Sequence, residues 1–288
     1  MGLFLVTKSV SVVNMDLLLK NITIIHSVEE TKRWISSPQL ERLEDIKRLG
    51  FGKSYFELTA FTASNGKHFP FVNHPDHNLI KRVQDEIRTY LDQITEKDYY
   101  QLAKLIKSKA SDDEILLFYT KLSGDKFGKC KVDKSFLKNA RKLPTVADIY
   151  ESGSADQILN NESRIMRAKE KIISYSGDDY IRIHNCIASL LPALPMLKKA
   201  VLEKHKSIFQ IIAENAPIKY AVRVVKEPVI IDGKHLRPGN VVLFNIAKAA
   251  RQTGDTRYTF GQGTDERRCP FGFFMENFLE KLRSSSLL

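Results

Sequence analysis

Hydrophobic side chains recur at helical spacing through most of the chain. The clearest run, between residues 76 and 91, places apolar residues every three or four positions: Leu79, Ile80, Val83, Ile87 and Leu91. This spacing predicts an amphipathic helix that begins near His77, with Asp76 as its N-cap. The same criterion predicts further helices over residues 29–49, 97–122, 155–175, 180–200 (ending near Pro192 or Pro195) and 198–214 (stopped by Ala216-Pro217).

The pattern changes after residue 217. The segments AVRVV and VIIDGKHLRPGNVVLFNIA are rich in β-branched residues and contain Asp-Gly and Pro-Gly turn signals, so they predict a small β-sheet. A glycine-containing loop then leads into an amphipathic helix predicted over Pro270–Leu282. The predicted fold class is therefore mainly α with a small β-sheet.

Composition narrows the class of protein further. With 43% hydrophobic and 27% charged residues in 288, the chain is neither disordered nor collagen-like. The three cysteines are far apart, which argues against a zinc knot or a disulfide scaffold and favours a reducing cytoplasm. No apolar run approaches about 20 residues, so no membrane span is expected. The net charge of +11 permits an anionic partner without selecting one. The lysine-rich run 104–109 is interpreted as a solvated helix face, and no nucleic-acid partner is expected.

Cys269 is the strongest candidate for a chemically reactive residue. It directly precedes the last predicted helix, and Arg267 and Arg268 lie beside it. A helix N-terminus and neighbouring cations both favour a thiolate, which is a nucleophile or a metal ligand. A small buried core residue is the alternative interpretation.

The residues around this cysteine resemble the heme-ligand loop of the cytochrome P-450 family, the heme-thiolate monooxygenases. The loop of that family reads FGxG, then His or Arg two positions before the cysteine and a glycine two positions after it. This chain has two extra residues between Gly263 and Cys269, and CPFG in place of CxG. The matching positions here are Phe260, Gly261, Gly263, Arg267, Cys269 and Gly272. The resemblance implies that Cys269 is the axial ligand of heme b and that Phe260 belongs to the cofactor-binding loop.

Two further segments resemble the same family. Residues 216–251 resemble the stretch that carries an arginine for a heme propionate, and Arg223 falls on that arginine. Residues 74–82 resemble the family's D-x-P-x-H-x-x-x-R helix, with His77 on the histidine and Lys81 on the arginine. The resemblance implies that His77, Lys81, Arg223 and Arg267 hold the two propionates. A capped helix with a solvated basic face is the alternative interpretation of residues 74–82.

Other positions depart from the family pattern. Asp179 holds the acid position of the central-helix motif, but Tyr180 stands where the family has its oxygen-relay threonine. The resemblance implies that Asp179 and Tyr180 are catalytic; alternatively, residues 176–180 form a loop that caps the next helix. The ExxR motif of the family falls on residues 210–213, where both charged partners are missing.

These resemblances identify the chain as a truncated, divergent member of the family, with a reduced P-450-like fold. We expect an irregular leader over residues 1–28, in which Met1 or Met15 is the start, and a single heme domain over 29–288. The implied function is a cytoplasmic monooxygenase-type oxidoreductase that acts on a small organic substrate. An acidic ferredoxin or flavodoxin would dock near Arg267, Arg268 and Lys281.

Three alternatives remain open on the residues alone. One is a heme-thiolate enzyme of non-monooxygenase type, which the missing threonine favours. The second is a degenerate P-450-like binding or interaction protein without catalysis, which the missing ExxR motif favours. The third is a hydrolase in which Cys269 pairs with a distant histidine.

Overall fold

We analysed the chain in a computed structural model. It describes residues 22–42, 78, 81, 85, 88–127, 133–143, 161–174, 193–216, 219–254, 258 and 270–287.

The amino-terminal part contains two strands and a short helix. Strand β1 (Ile22–Ile25) leads into helix α1 (Val28–Trp34), whose N-cap Ser27 accepts a hydrogen bond from the backbone of Glu30. Strand β2 (Leu40–Arg42) follows. The structure thus differs from two expectations: residues 22–25 form a strand rather than an irregular leader, and the helix predicted over 29–49 ends at Trp34. The rest of the predicted domain division stays a prediction.

Four helices make up most of the middle of the described chain. They are α2 (Glu96–Lys107), α3 (Asp112–Phe127), α4 (Lys134–Ala140) and α5 (Glu162–Ser174). Residues 78, 81, 85 and 88–91 are also helical, as the spacing over 76–91 predicted. The single helix expected over 97–122 is instead two helices, because Lys109 adopts a left-handed conformation with φ of 57° and ends the first one.

Two helices precede the sheet. Residues 193–202 are helical and are called α6, and α7 (Ile208–Glu214) follows after a short break. The helix predicted over 180–200 was expected to end near Pro192 or Pro195. An end at Pro195 is wrong, since that proline lies within α6, and Pro192 lies outside the described residues. The continuous helix expected over 198–214 is interrupted at residues 203–207, where Ser207 starts a new N-cap.

The carboxy-terminal part holds the rest of the strands and two helices. In chain order these are β3 (Tyr220–Val225), β4 (Val229–Ile231), β5 (Lys234–Leu236), β6 (Val241–Asn245), α8 (Ile246–Thr253) and α9 (Pro270–Ser285). Asp232 and Gly233 both have positive φ, at 53° and 71°, which a two-residue hairpin turn between β4 and β5 requires. Both the turn and the start of α9 agree with the sequence prediction.

The strands form two small sheets. Four strands are ordered β1-β6-β3-β2, with β1 parallel to β6 and the other neighbours antiparallel. Strands β4 and β5 form a separate antiparallel pair. The described chain is therefore mostly helical with a small mixed sheet, which confirms the predicted fold class. Within the described ranges, no helix has the length and apolar character needed to cross a bilayer.

Two hydrophobic clusters hold these elements together. The helical core joins α2, α3, α6, α7 and α9, and the sheet-side core joins the four-stranded sheet with α8. Helix α7 contributes to both: Ile208, Ile211 and Ile212 lie in the helical core, and Ala213 lies in the sheet-side core. This helix therefore links the two halves of the described chain.

Candidate functional site

The segment that carries Cys269 is flanked by residues of the two cores. Tyr258, just before the loop, is 5% exposed and belongs to the sheet-side core. Pro270, just after it, is the first residue of α9, which packs in the helical core. The intervening residues 259–269, which include Phe260, Arg267 and Cys269, lie outside the described residues. Both ends of the loop are nevertheless anchored in buried structure.

Aromatic packing fixes the first half of α9. The Phe274 and Phe278 rings are stacked with centroids 5.4 Å apart, and Tyr90 stacks on Phe274 at 5.8 Å. The hydroxyl of Tyr119 donates to the Met275 sulfur at 3.3 Å. Offset aromatic pairs of this kind add about 0.5–1.5 kcal/mol each beyond the area that they bury. The helix that follows Cys269 is thus firmly held.

Arg223 is a buried cation in the centre of the sheet. It lies on β3, opposite Val242 of β6, and is only 4% exposed. Its Nε donates to the backbone oxygen of Ile35, the C-cap of α1, at 2.9 Å. A buried guanidinium is stable only where acceptors surround it. Sequence reasoning found this residue through its motif position, but no sequence signal pointed to its contact with Ile35.

The other predicted site residues are placed only in part. Lys81 is helical and its side chain is exposed, which fits both the propionate role and the solvated face weighed above. His77, Asp179 and Tyr180 lie outside the described residues. The structure therefore does not bring the predicted residues together as a measured cluster, and their roles stay predictions.

The segment that replaces ExxR has a local structural role. Gln210 is the N3 residue of α7, and its side chain accepts from the backbone of Ser207 at 2.8 Å. The backbone of Gln210 in turn donates to the Ser207 hydroxyl at 3.1 Å, which completes a capping box. Ala213, at the position of the motif arginine, is buried in the sheet-side core. Packing and capping therefore hold this helix without the charged pair.

A cluster of charges at the carboxyl end of α7 connects it to α6. Glu214 accepts from the Lys206 ammonium at 2.8 Å and from Lys199, on α6, at 3.2 Å. The hydrogen bond from Lys206, followed by that from Lys199, lowers the pKa of Glu214. The carboxylate thus stays charged and holds α7 against α6.

The available donors fit a heme-thiolate site. Cys269 lies outside the described residues, but the next residue, Pro270, begins a 16-residue helix, and the positive end of a helix dipole favours the thiolate that iron binds. Arg223 is a guanidinium of the kind that binds carboxylates best, and burial strengthens such pairs. Across the described residues, no group of three or more His, Cys, Asp or Glu side chains is arranged to hold a metal ion; a single thiolate ligand needs no such group.

Comparison with solved structures gives one consistent fold. P450 RauA, solved with a biosynthetic intermediate of aurachin RE, has a TM-score of 0.53 at 12% identity over 90% of this chain and 83% of its own. The tirandamycin C-bound P450 monooxygenase TamI has a TM-score of 0.52 at 13% identity, over 90% of this chain and 80% of its own. The mycinamicin VIII C21 methyl hydroxylase MycCI from Micromonospora griseorubida has a TM-score of 0.50 at 10% identity, over 92% of this chain and 82% of its own.

No family sequence profile matches the chain, and no curated protein sequence matches it either. The structural likeness confirms the fold that the motifs predicted: the chain has a cytochrome P450-like fold. At identities of 10–13%, the likeness establishes the fold alone.

Proposed function

We propose that this protein is a heme-thiolate oxidoreductase of monooxygenase type that acts on a small organic molecule. One observation carries the proposal: in a P450-like fold, Cys269 directly precedes α9, the helix whose first half is held by aromatic packing. That position gives a thiolate both a helix dipole and a rigid support.

Each proposed residue has a distinct task. Cys269 would bind the iron, and heme b would supply the activation of dioxygen that thiolate ligation supports. Arg223, with His77, Lys81 and Arg267, would neutralise the propionates. Phe260 would pack in the loop that positions the thiolate. Asp179 and Tyr180 would hold and relay protons on the substrate side.

The substrate class and partners follow from the same resemblance. RauA was solved with a biosynthetic intermediate of aurachin RE, TamI with tirandamycin C and MycCI with mycinamicin VIII, which supports a small organic substrate here. An acidic ferredoxin or flavodoxin is the proposed electron donor, with a docking site near Arg267, Arg268 and Lys281. A cytoplasmic location fits the three widely spaced cysteines.

Thiolate ligation is tested by the carbon monoxide difference spectrum of the heme-reconstituted, reduced protein. We expect the red-shifted Soret band of a thiolate ligand, and we expect Cys269→Ser to lose it. Cys130→Ser and Cys186→Ser are matched controls that should keep it. A protein that binds no heme would contradict the proposal and favour a P450-like binding protein without catalysis. A band that survives Cys269→Ser would contradict the assignment of Cys269 and show that another cysteine ligates the iron.

The second candidate is a heme-thiolate enzyme that does not perform monooxygenation, and Tyr180 in place of the relay threonine favours it. Consumption of dioxygen with a chemical reductant, in the presence of candidate substrates, separates the two. Stoichiometric product oxygenation supports the monooxygenase. A thiolate spectrum with no oxygenation, together with turnover of peroxide or dehydration of an oxime, supports the second candidate.

A further inference from the structure

A dense group of cations lies on two packed helices that the function above does not use. We define the α4–α5 basic surface by six side chains: Lys134, Lys138, Lys142, Arg164, Arg167 and Lys171. Helices α4 and α5 pack against each other, with Phe136 and Leu137 buried on one and Ile165 and Ala168 buried on the other. Their polar faces therefore form one continuous surface.

The charge of this region is far above the average for the chain. Residues 133–143 and 161–174 carry eight cationic and three anionic side chains, which is a net charge of +5 in 25 residues. The whole chain of 288 residues carries only +11. Nearly half of the excess positive charge is thus concentrated on two short helices.

The cations form rows rather than a random scatter. Arg164, Arg167 and Lys171 have i, i+3, i+7 spacing, which places them on one stripe of α5. Lys134 and Lys138 are one turn apart on α4. At a rise of about 1.5 Å per residue, the stripe on α5 extends roughly 10 Å.

Within the described residues, salt bridges leave these rows largely unneutralised. Arg141 pairs with Asp113, but none of the six defining cations forms a salt bridge there, and of the six only Lys134 interacts electrostatically with a described carboxylate outside α4 and α5, that of Glu114. Partial burial lowers the pKa of Lys142. Repulsion from four other cations of this surface lowers it further: Arg164, Lys138, Lys171 and Arg167. Concentrated, uncompensated positive charge of this kind is unfavourable in the isolated protein and is relieved by an anionic partner.

We infer that the α4–α5 basic surface is a docking site for an acidic face of another protein. The two rows are too long for one small anion, since a phosphate reaches only cations within a few ångströms, and they fit an extended series of carboxylates. The inference is independent of the heme-thiolate proposal.

The surroundings favour a protein over a membrane or a nucleic acid. The exposed large hydrophobic residues of the described chain are Ile24, Tyr100, Leu202, Ile230 and Leu287, and none of them lies on α4 or α5. Membrane-surface helices need such apolar side chains beside the cations. The aromatic residue on these helices, Phe136, is fully buried, so no ring is available there for base stacking.

The surface is also distinct from the docking site proposed near Lys281. Helix α4 packs on α3, α3 packs on α2, and α2 packs on α9, the helix that carries Lys281. Two helices thus separate the α4–α5 basic surface from α9 along this series of contacts. A partner bound here would not need to contact α9.

The test measures binding of the full-length protein to poly-L-glutamate by fluorescence anisotropy at low and at physiological salt. The triple variant Arg164→Glu/Arg167→Glu/Lys171→Glu should weaken binding on the order of tenfold and remove most of its salt dependence. Lys97→Glu/Lys104→Glu/Lys121→Glu is the matched control, because it changes the same net charge at exposed positions on α2 and α3. It should weaken binding by less than about threefold.

Carbodiimide cross-linking of the same probe, mapped by mass spectrometry, locates the contact independently. Cross-links at Lys138, Lys142 and Lys171 support the inference, with circular dichroism checking that both triple variants are folded. Equal loss of binding in the two triple variants would overturn it. So would cross-links confined to other lysines, or tighter binding of phosphatidylserine vesicles or duplex DNA than of poly-L-glutamate through the same residues.

Discussion

Tyr99 is a polar side chain in the most apolar part of the molecule. It lies on α2, is 0% exposed, and its ring meets that of Phe278 with centroids 5.1 Å apart. Within the described residues its hydroxyl has no hydrogen-bond partner. Burial, with smaller contributions from Glu96, Asp98 and Asp92, raises the pKa of Tyr99. The ring is therefore useful to the core, whereas the hydroxyl costs stability.

Removing this hydroxyl should change the response of stability to alkaline pH. At neutral pH, Tyr99→Phe should leave the free energy of unfolding unchanged or raise it by about 1 kcal/mol, because no hydrogen bond is lost. As pH rises through about 10, the unfolded wild type releases the Tyr99 proton and the folded protein does not, so the wild type loses stability. The Tyr99→Phe variant should lose less stability than the wild type, and the difference should be up to about 1.4 kcal/mol per pH unit.

Urea denaturation between pH 9 and pH 11 measures the difference. Tyr100, the next residue on α2, is 47% exposed and provides the matched control. Tyr100→Phe should follow the wild type across this range. If wild type and Tyr99→Phe lose stability in parallel, the Tyr99 hydroxyl has a partner or ionises in the folded protein.

At the scale of single residues, the sequence indicated which residues are important better than it predicted what they contact. The motif position singled out Arg223 as important, and the structure places it as a buried cation. Its bond to the Ile35 oxygen joins residues 188 positions apart, which no local pattern encodes. Tyr99 carried no signal, because its ring meets Phe278 of α9, which is far away in the chain.

Capping decides where the helices of this fold end. The sequence predicted one helix over 97–122 and another over 198–214, since apolar spacing continues through both segments. The breaks lie at Lys109, with its positive φ, and at Ser207, which caps α7. Strands β3 to β6 and the Asp232-Gly233 turn were predictable because β-branched runs and turn residues mark them directly, whereas β1 and β2 were not predicted.

The capping box of α7 should therefore contribute measurably to stability. Ser207→Ala removes the acceptor for the Gln210 backbone and should lower the free energy of unfolding by about 0.5–2 kcal/mol. Ser284→Ala is the control, because that hydroxyl only bonds to Glu280 of its own helix on an exposed face and should cost less than about 0.5 kcal/mol.

The double variant Ser207→Ala/Gln210→Ala distinguishes a reciprocal box from two separate caps. Each change removes one of the two hydrogen bonds of the box. If the two bonds support each other, losing one weakens the other, so the combined cost should be smaller than the sum of the single costs. Chemical denaturation monitored by circular dichroism gives all four values. Strict additivity would show that the two hydrogen bonds act as separate caps and do not support each other.

The whole molecule depends on the same short helix. Helix α7 contacts both α8, on the side of the sheet, and α9, in the helical core. The sequence predicted the helices and the sheet as separate patterns, but it could not predict that one seven-residue helix would serve both cores. That property arises from packing between segments that are distant in the chain.

We therefore expect the two halves of the described chain to unfold together. Trp34, the single tryptophan, packs against the sheet-side core, so its fluorescence reports on that half. Far-UV circular dichroism reports mainly on the helices. The two probes should give coincident denaturation curves.

Ile211→Ala changes a 0% exposed position of α7. It should lower the free energy of unfolding that both probes report by the same amount, about 2–5 kcal/mol. Leu202→Ala, at 60% exposure, should shift neither by more than about 0.5 kcal/mol. A tryptophan transition that precedes the helical one in the wild type would show instead that the sheet-side core folds as its own unit, and that contacts through α7 are too weak to couple it to the helices.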